Sequence, residues 1–278
     1  MLRTIAICGL LWAARLWADP IGGATPGTLE DGYRQLYSLQ FAQAHATFED
    51  WQRRHPRDPL AAASDAAQYL FAEFDRLHIL QSEFFTHDQH FLTDHKLAPD
   101  AAVKQRFDRA LAASRGLARQ APGDPRAEFA AVLCDGLESD YAALIEKRYA
   151  ASFVQMKAGR QRAERLLAEH PTFYDAWLAV GVENYMLSVK PAPVRWLLRL
   201  GGGETNKGLG IEKLRLTAEK GHFLAPFARL LLAVAALRDR HTDEARGLLL
   251  GLCREFPGNP LYALELARLN PSAEGSTP

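Results

Sequence analysis

Cysteine is scarce in this chain of 278 residues, which contains only three. No two of them form a C-x-x-C pair, which excludes a thioredoxin-like redox motif and a zinc ribbon. Cys134 and Cys253 lie far apart, each inside an apolar segment with helical periodicity. Because cysteine often serves as a small buried apolar residue, we expect two free thiols rather than a disulfide.

A surplus of charge of either sign is also absent. The chain has 33 basic and 33 acidic residues, and its pI is close to 7.1. Nucleic-acid-binding proteins usually carry a basic surplus, so the balance predicts no nucleic-acid partner and no globally basic surface for anionic membranes. It does not exclude a local basic patch.

The apolar run near the N-terminus, Ile5 to Ala14, is too short to span a bilayer. Arg3 before it and Ala18 after it give the pattern of a secretory signal peptide. We therefore predict a signal peptide over residues 1–18, a flexible segment over 19–28, and export, with the periplasm as the destination. Cleavage after Ala24 and an uncleaved N-terminal anchor are the alternatives.

Runs of β-branched residues are nearly absent from the rest of the chain. Segments rich in Ala, Leu, Arg, Glu and Gln replace them, with apolar residues at the i, i+3, i+4, i+7 spacing of an amphipathic helix. This pattern predicts an all-α fold: a helical domain over residues 29–270, followed by a disordered tail over 271–278.

Four predicted helices are each terminated by a proline: Pro56, Pro122, Pro171 and Pro257. Small and apolar residues recur at fixed offsets before each proline. A small residue allows a neighbouring helix to approach closely, and the apolar positions that follow lie on the same helical face. The four sets are Ala44, Phe48 and Trp51; Ala110, Ser114 and Leu117; Gly159, Ala163 and Leu166; and Ala245, Leu249 and Leu252.

These residues resemble the tetratricopeptide repeat (TPR) family. Ala44, Phe48 and Pro56 match the A-x3-F…P half of its pattern, and "WLAVG", Trp177 to Gly181, approaches the W-x2-L-G half. The resemblance covers about Leu29 to Asn270 and implies a right-handed α-solenoid of about five irregular helical hairpins. Such arrays bind other proteins on a concave surface, so the resemblance implies a non-catalytic scaffold or assembly factor of the cell envelope, without a cofactor.

The helices that would line the concave surface carry apolar and aromatic residues. Their pattern predicts an apolar groove that binds a protein or peptide partner. The predicted groove residues are Tyr33, Tyr37, Phe71, Leu178, Val182, Tyr185, Met186, Leu230 and Val234.

A glycine-rich stretch, "RWLLRLGGGETNKGLG", spans residues 195–210. It lacks the Gly-Lys-Ser/Thr triplet and the preceding strand that a phosphate-binding loop requires. We predict instead that Gly201 to Gly203 end a short helix and that Thr205 or Asn206 begins the next. The proline spacing makes residues 189–205 an insertion between the two helices of one repeat.

The short helix of this insertion carries Val194, Trp196 and Leu200 beside Arg195 and Arg199. Two positions are open for it: packing into the apolar groove as a lid, or contact with a membrane surface through Trp196. Packing against the protein itself is our first expectation.

A second alternative is an envelope metal-binding protein or enzyme that uses the region from His87 to His95. His87, His90 and His95 lie close together in sequence with Asp88 and Asp94, and these residue types ligate zinc. A further segment, Glu138 to Tyr149, has charged residues and two tyrosines, and we expect Tyr141, Leu144, Ile145 and Tyr149 to be a buried helical stripe.

Overall fold

The computed structural model describes residues 27–80, 97–190 and 192–269, and within these ranges the protein is entirely α-helical, as predicted. Segments 1–18, 19–26, 81–96 and 271–278, and thus the expected signal peptide, the His87–His95 region and the tail, lie outside the described residues. The helices are α1 (Leu29–Tyr37), α2 (Phe41–Arg54), α3 (Pro59–Arg76), α4 (Ala101–Ala118), α5 (Pro125–Asp140), α6 (Tyr149–Glu169), α7 (Trp177–Ser188), α8 (Ala192–Leu200), α9 (Lys207–Lys220), α10 (Ala225–Arg238), α11 (Thr242–Glu255) and α12 (Pro260–Arg268).

Neighbouring helices pack in pairs along the chain. The pairs are α1 with α2, α3 with α4, α5 with α6, α7 with α9, and α10 with α11, and α12 covers the end of α11. Three helices begin with the same local device, in which the side chain of Asp58, Asp124 or Asn259 accepts a hydrogen bond from the first turn, and a proline follows it. This device starts a helix directly after a turn because proline at the first helical position needs no hydrogen-bond acceptor.

The repeated small and apolar positions are all buried in α6 and α11, and in α2 all but Trp51, which is half-buried. Ala44 and Phe48 of α2, Ala163 of α6, and Ala245 and Leu249 of α11 are all buried. In α4 only the middle residue, Ser114, is buried, whereas Ala110 and Leu117 are half-buried. The sequence repeat therefore identifies the inward faces of α2, α6 and α11, and α4 departs from it.

Helices α7 and α9 cross with their backbones nearly in contact. A Cβ atom added at Gly210 would lie 2.6 Å from the backbone nitrogen of Tyr185, and one added at Gly181 would lie 3.0 Å from the backbone nitrogen of Leu214. The two glycines thus allow a separation that side chains would prevent. As predicted, α8 is inserted between the two helices of this pair.

The segment from Glu138 to Tyr149 lengthens the fold rather than forming a separate unit. Helix α5 continues into a π-helical turn, Tyr141–Ile145, and α6 then runs for 21 residues. Tyr141 and Ile145 are buried as expected, but Tyr149 is exposed, so its predicted burial is wrong. The reason is that the chain turns at Glu146–Arg148, which breaks the helical stripe before Tyr149.

The first helix contacts the last ones, so the row of helix pairs closes on itself. The hydroxyl of Tyr37 donates a hydrogen bond of 2.9 Å to the carbonyl of Phe223, and the side-chain amide of Asn259 donates one of 2.9 Å to the carbonyl of Tyr37. The rings of Tyr33 and Phe223 have centroids 5.0 Å apart. One large apolar core consequently runs from α1 to α12.

Candidate functional site

The predicted groove residues lie mainly within the protein's own core. Tyr33, Tyr37, Tyr185 and Val234 are each less than 10% exposed. The rings of Phe71 on α3 and Phe227 on α10 have centroids 5.7 Å apart, so helices far apart in the row meet. The remaining predicted residues, Leu178, Val182, Met186 and Leu230, are half-buried against the same apolar clusters. Four of the nine predicted residues are therefore buried inside the protein, and the other five, including Phe71, are half-buried.

The closed arrangement is secured by one buried carboxylate. Asp175 accepts hydrogen bonds of 2.8–3.0 Å from the backbone N–H groups of His222, Phe223 and Leu224. These three residues form the turn against which α1 packs. Burial raises the pKa of Asp175 in spite of these bonds. The carboxylate therefore has a structural role, since all of its donors belong to the turn that closes the ring.

Helix α8 lies on the outside of the protein. Trp196 and Leu200 are 64% and 66% exposed, and Val194 is also exposed. The helix has few contacts with the rest of the protein, and those are mainly with α7. The expectation that this helix packs into the apolar groove is therefore wrong, because its exposed side chains face away from the core.

The loop that follows α8 is fixed to α6. The ammonium group of Lys157 donates a hydrogen bond of 2.7 Å to the carbonyl of Gly201. The ring of Phe153 packs so closely that a Cβ added at Gly203 would lie 2.9 Å from it. Gly202 has a φ of +79°, a conformation that favours glycine. These contacts confirm that the glycine run ends the short helix.

The same loop is fixed to α7. Glu183 and Asn184 accept hydrogen bonds of 3.0 and 3.2 Å from the backbone N–H groups of Glu204 and Asn206. The side chain of Asn206 then caps α9, as predicted. Contacts with both α6 and α7 therefore hold α8 in one position on the surface.

A buried ion pair supports this attachment. The guanidinium of Arg160 lies 3.2 Å from the carboxylate of Glu183, whose side chain is fully buried. Arg160 also makes two hydrogen bonds of 2.7 Å with Glu164. Burial raises the pKa of Glu183, so the pair forms against a desolvation cost. Its two facing atoms, Nε of Arg160 and Oε2 of Glu183, are in ion-pair contact without a hydrogen bond.

An apolar cleft lies on a different part of the surface, between α2 and α4, with α3 as its floor. It is a partly open depression of about 520 Å³, a volume within the range of ligand-binding clefts. Small side chains dominate its walls. The lining residues are Phe48, Glu49, Gln52, Ala61, Ala62, Asp65, Ala110, Ala113, Gly116, Leu117 and Gln120.

The polar groups of the cleft are mainly hydrogen-bond acceptors. The side-chain oxygen of Gln52 is buried and has no hydrogen-bond partner in the part of the chain that is described. The carboxylate of Asp65 lies 2.7 Å from Nδ1 of His45, and burial raises the pKa of Asp65. Glu49 is exposed at the rim. A ligand with N–H donors or a positive charge would complement these groups.

The structure also bears on the cysteines, on metal sites and on membrane-spanning helices. Cys134 is buried and Cys253 half-buried, and both are free thiols, as expected. Within residues 27–80, 97–190 and 192–269, no three His, Cys, Asp or Glu side chains lie close enough to bind a metal ion. No helix in these ranges is long and apolar enough to cross a membrane.

Sequence reasoning located α8 but missed the cleft. Ala110 and Leu117 of α4 match the repeat pattern in sequence. In the structure both are only half-buried, and they line the cleft. The pattern gives the residue types but not the distance between α2 and α4. The chain matches no protein-family model, no curated protein and no solved structure.

Proposed function

We propose that this protein is a non-catalytic interaction scaffold or assembly factor of the cell envelope that binds a segment of another protein. The observation that carries the proposal is the cleft between α2 and α4. In this proposal the fold is a TPR-like right-handed α-solenoid of hairpins, wound until its ends meet. The partner then binds in this cleft rather than on the concave face predicted from sequence.

The walls of the cleft suit a helix or an extended peptide. Ala62, Ala110, Ala113 and Gly116 have no bulk beyond a methyl group, so a partner backbone can approach closely. The half-buried Leu117 adds apolar surface that a partner side chain would cover, whereas Phe48 and Ala61 are covered by the protein itself. Removing this apolar surface from water would supply the main driving force for binding.

The acceptor groups favour a partner segment that combines apolar and basic residues. Glu49 offers a negative charge at the rim, and Gln52 offers a carbonyl oxygen that needs a donor. A lysine or arginine next to an apolar side chain in the partner would supply both. The expected location in the envelope is supported by the basic and apolar pattern of residues 1–18.

The proposal is tested by filling the cleft. Ala113 on α4 lines the cleft, whereas the preceding residue, Ala112, is also exposed and does not line it. We expect Ala113→Trp to block the cleft and Ala112→Trp to leave it open. The measurement is crosslinking in the native envelope fraction, followed by mass spectrometry that locates the crosslinked peptides of both proteins.

We expect crosslinks from residues around the cleft to an apolar, basic segment of a partner, lost in Ala113→Trp and retained in Ala112→Trp. Circular dichroism confirms that both variants fold. Identical crosslinks from both variants, or none from residues near the cleft in the unmodified protein, would overturn the proposal.

A further inference from the structure

Exposed apolar side chains are concentrated on one part of the protein. Among the residues that the structure describes, six large apolar side chains are highly exposed. Five of them belong to α8 and to the first turns of α6: Tyr149, Val154, Val194, Trp196 and Leu200. The sixth, Leu264, is on α12. Such concentration marks a contact surface, since exposed apolar residues are otherwise scattered singly.

The two segments are structural neighbours. Phe153 and Lys157 of α6 hold the glycine loop at the end of α8. Tyr149 lies one turn before Phe153 on α6, so it lies on the side of α6 that faces this loop. We call α8 and the first turn of α6, with the exposed side chains of Tyr149, Val194, Trp196 and Leu200, the outer patch. Val154 lies about 140° around α6 from Tyr149 and is not part of it.

The charge of α8 is entirely positive. Its sequence, "APVRWLLRL", contains Arg195 and Arg199 and no acidic residue. The guanidinium of Arg195 donates to the backbone carbonyls of Ser188 and Lys190, and that of Arg199 donates to the hydroxyl of Thr205. No carboxylate within the described ranges forms an ion pair with either arginine. Both charges are thus left for an anion outside the protein.

The helix separates its charged and apolar residues. Arg195 and Arg199 are one turn apart and share a face, and so do Trp196 and Leu200. A tryptophan at the boundary between an apolar face and a basic face is the arrangement of helices that lie in the interfacial plane of a membrane. An isolated helix of nine residues would be marginal in water, but the contacts of the loop with α6 and α7 hold this one in place.

We propose that the outer patch docks this protein on an anionic membrane surface. Trp196, Leu200 and Val194 enter the boundary between headgroups and acyl chains, and Arg195 and Arg199 bind lipid phosphates. No acidic residue lies on α8 or in the first two turns of α6, and exposed Glu204 in the following loop forms no ion pair with either arginine within the described ranges. This local surplus of positive charge favours anionic lipid headgroups over a protein surface of mixed charge. This inference goes beyond the proposed function, since the cleft and the outer patch share no residue.

The test uses the full chain and two kinds of vesicle: phosphatidylcholine alone, and phosphatidylcholine mixed with phosphatidylglycerol. Binding is measured by flotation at low and at high salt. Trp196→Asp and the double variant Arg195→Gln, Arg199→Gln change the outer patch. Leu264→Asp is the matched control, because Leu264 is 55% exposed and lies on α12.

We expect the unmodified chain and Leu264→Asp to float with the anionic vesicles and to be released by salt. Trp196→Asp should bind at least about 10-fold more weakly, because burial of a tryptophan at an interface is replaced by repulsion of a carboxylate. The double arginine variant should lose about 25-fold, on the basis of about 5-fold for each basic residue near an anionic surface.

Comparison of variants within the same full chain removes any contribution of the apolar N-terminal segment, which all of them contain. Equal binding of the unmodified chain to both kinds of vesicle, or unchanged binding of Trp196→Asp, would overturn the proposal. No binding at all would also overturn it. Specific capture of a protein by the outer patch without binding to vesicles would assign the patch to a protein partner.

The two proposals fail separately. Ala113→Trp should bind vesicles normally and lose the crosslinked partner, whereas Trp196→Asp should retain the crosslinked segment in detergent extract and lose the vesicles. A loss of both activities in either variant would show that the cleft and the outer patch are one site, and would overturn the present assignment.

Discussion

Within residues 177–220, two neighbouring helices are buried against each other and the helix between them in sequence is exposed. Helices α7 and α9 bury their contact so tightly that Gly181 and Gly210 bring the backbones together. Helix α8, which lies between them in sequence, has Trp196 exposed to solvent. Apolar residues are present in both, so hydrophobicity alone does not decide which is covered. The difference shows that a helix joins the core only where a complementary face lies within reach.

The largest loss of stability is expected from a substitution at the crossing of α7 and α9. Gly210→Val places a side chain where a Cβ atom alone would lie 2.6 Å from the backbone nitrogen of Tyr185. The backbone must move, so we expect the free energy of unfolding to fall by about 3 kcal/mol or more. Urea denaturation followed by circular dichroism measures it.

Gly247→Ala is the control for this substitution. Gly247 lies inside α11, and nothing lies within 4 Å of an added Cβ atom. The alanine should raise the free energy of unfolding by about 0.5–1 kcal/mol, because it restricts the unfolded chain. A similar loss of stability in both variants would show that the close approach of α7 and α9 does not require glycine.

The next largest loss of stability is expected at the buried pair Arg160–Glu183, which holds the loop after α8. Glu183→Ala removes the acceptor of the Glu204 N–H group and leaves Arg160 buried without its partner on α7. We expect a loss of about 2–3 kcal/mol, below the cost of a fully unpaired buried charge because Arg160 keeps its bonds to Glu164, and faster tryptic cleavage at Arg195 and Arg199. Glu244→Ala, which breaks an exposed ion pair with Arg215, should cost less than about 1 kcal/mol. Unchanged cleavage rates in Glu183→Ala would mean that α8 is held by other contacts.

A half-buried carboxylate without such a partner, that of Asp140, should behave differently. Burial raises the pKa of Asp140 from 3.8 to about 7, and no hydrogen-bond partner of this carboxylate lies among the described residues. The folded protein therefore keeps a proton that the unfolded chain has lost. Its stabilising contribution is complete below pH 3.8 and is lost as the pH rises through about 7.

We expect the free energy of unfolding to fall by about 2–3 kcal/mol between pH 5 and pH 9 on account of this group. Asp140→Asn should flatten that part of the profile, whereas Asp243→Asn, at an exposed position of α11, should not. Chemical denaturation at a series of pH values measures the slope. A slope that persists in Asp140→Asn would assign it to another group.

The smallest effect on stability is expected on the exposed side of the comparison. Trp196→Asp should change the free energy of unfolding by less than about 0.5 kcal/mol, because the indole has few contacts to lose. Leu264→Asp should behave in the same way. A loss of more than about 2 kcal/mol in Trp196→Asp would show that α8 packs against the core after all.

Much of the fold was readable because helix signals are local. The N-cap of α9 at Asn206 and the end of α8 before Gly201 were predicted from residue types that favour those backbone conformations. The burial of Ala44 and Ala163 followed from a repeated spacing. The functional surface was harder to predict from sequence. Tyr33 and Tyr185 look like groove residues until the packing of α1 against Phe223 and of α7 against α9 is known.

The sequence by itself determined that this chain is helical, where several of its helices end, and which face of α2, α6 and α11 is apolar. These properties depend on backbone preferences and on spacing within a few turns. Only the tertiary structure decided that the inward faces meet and close, that α2 and α4 stand apart, and that α8 lies outside. Those outcomes depend on contacts between residues as distant as Tyr37 and Asn259, and the energy of such contacts is set by geometry that spacing along the chain does not contain.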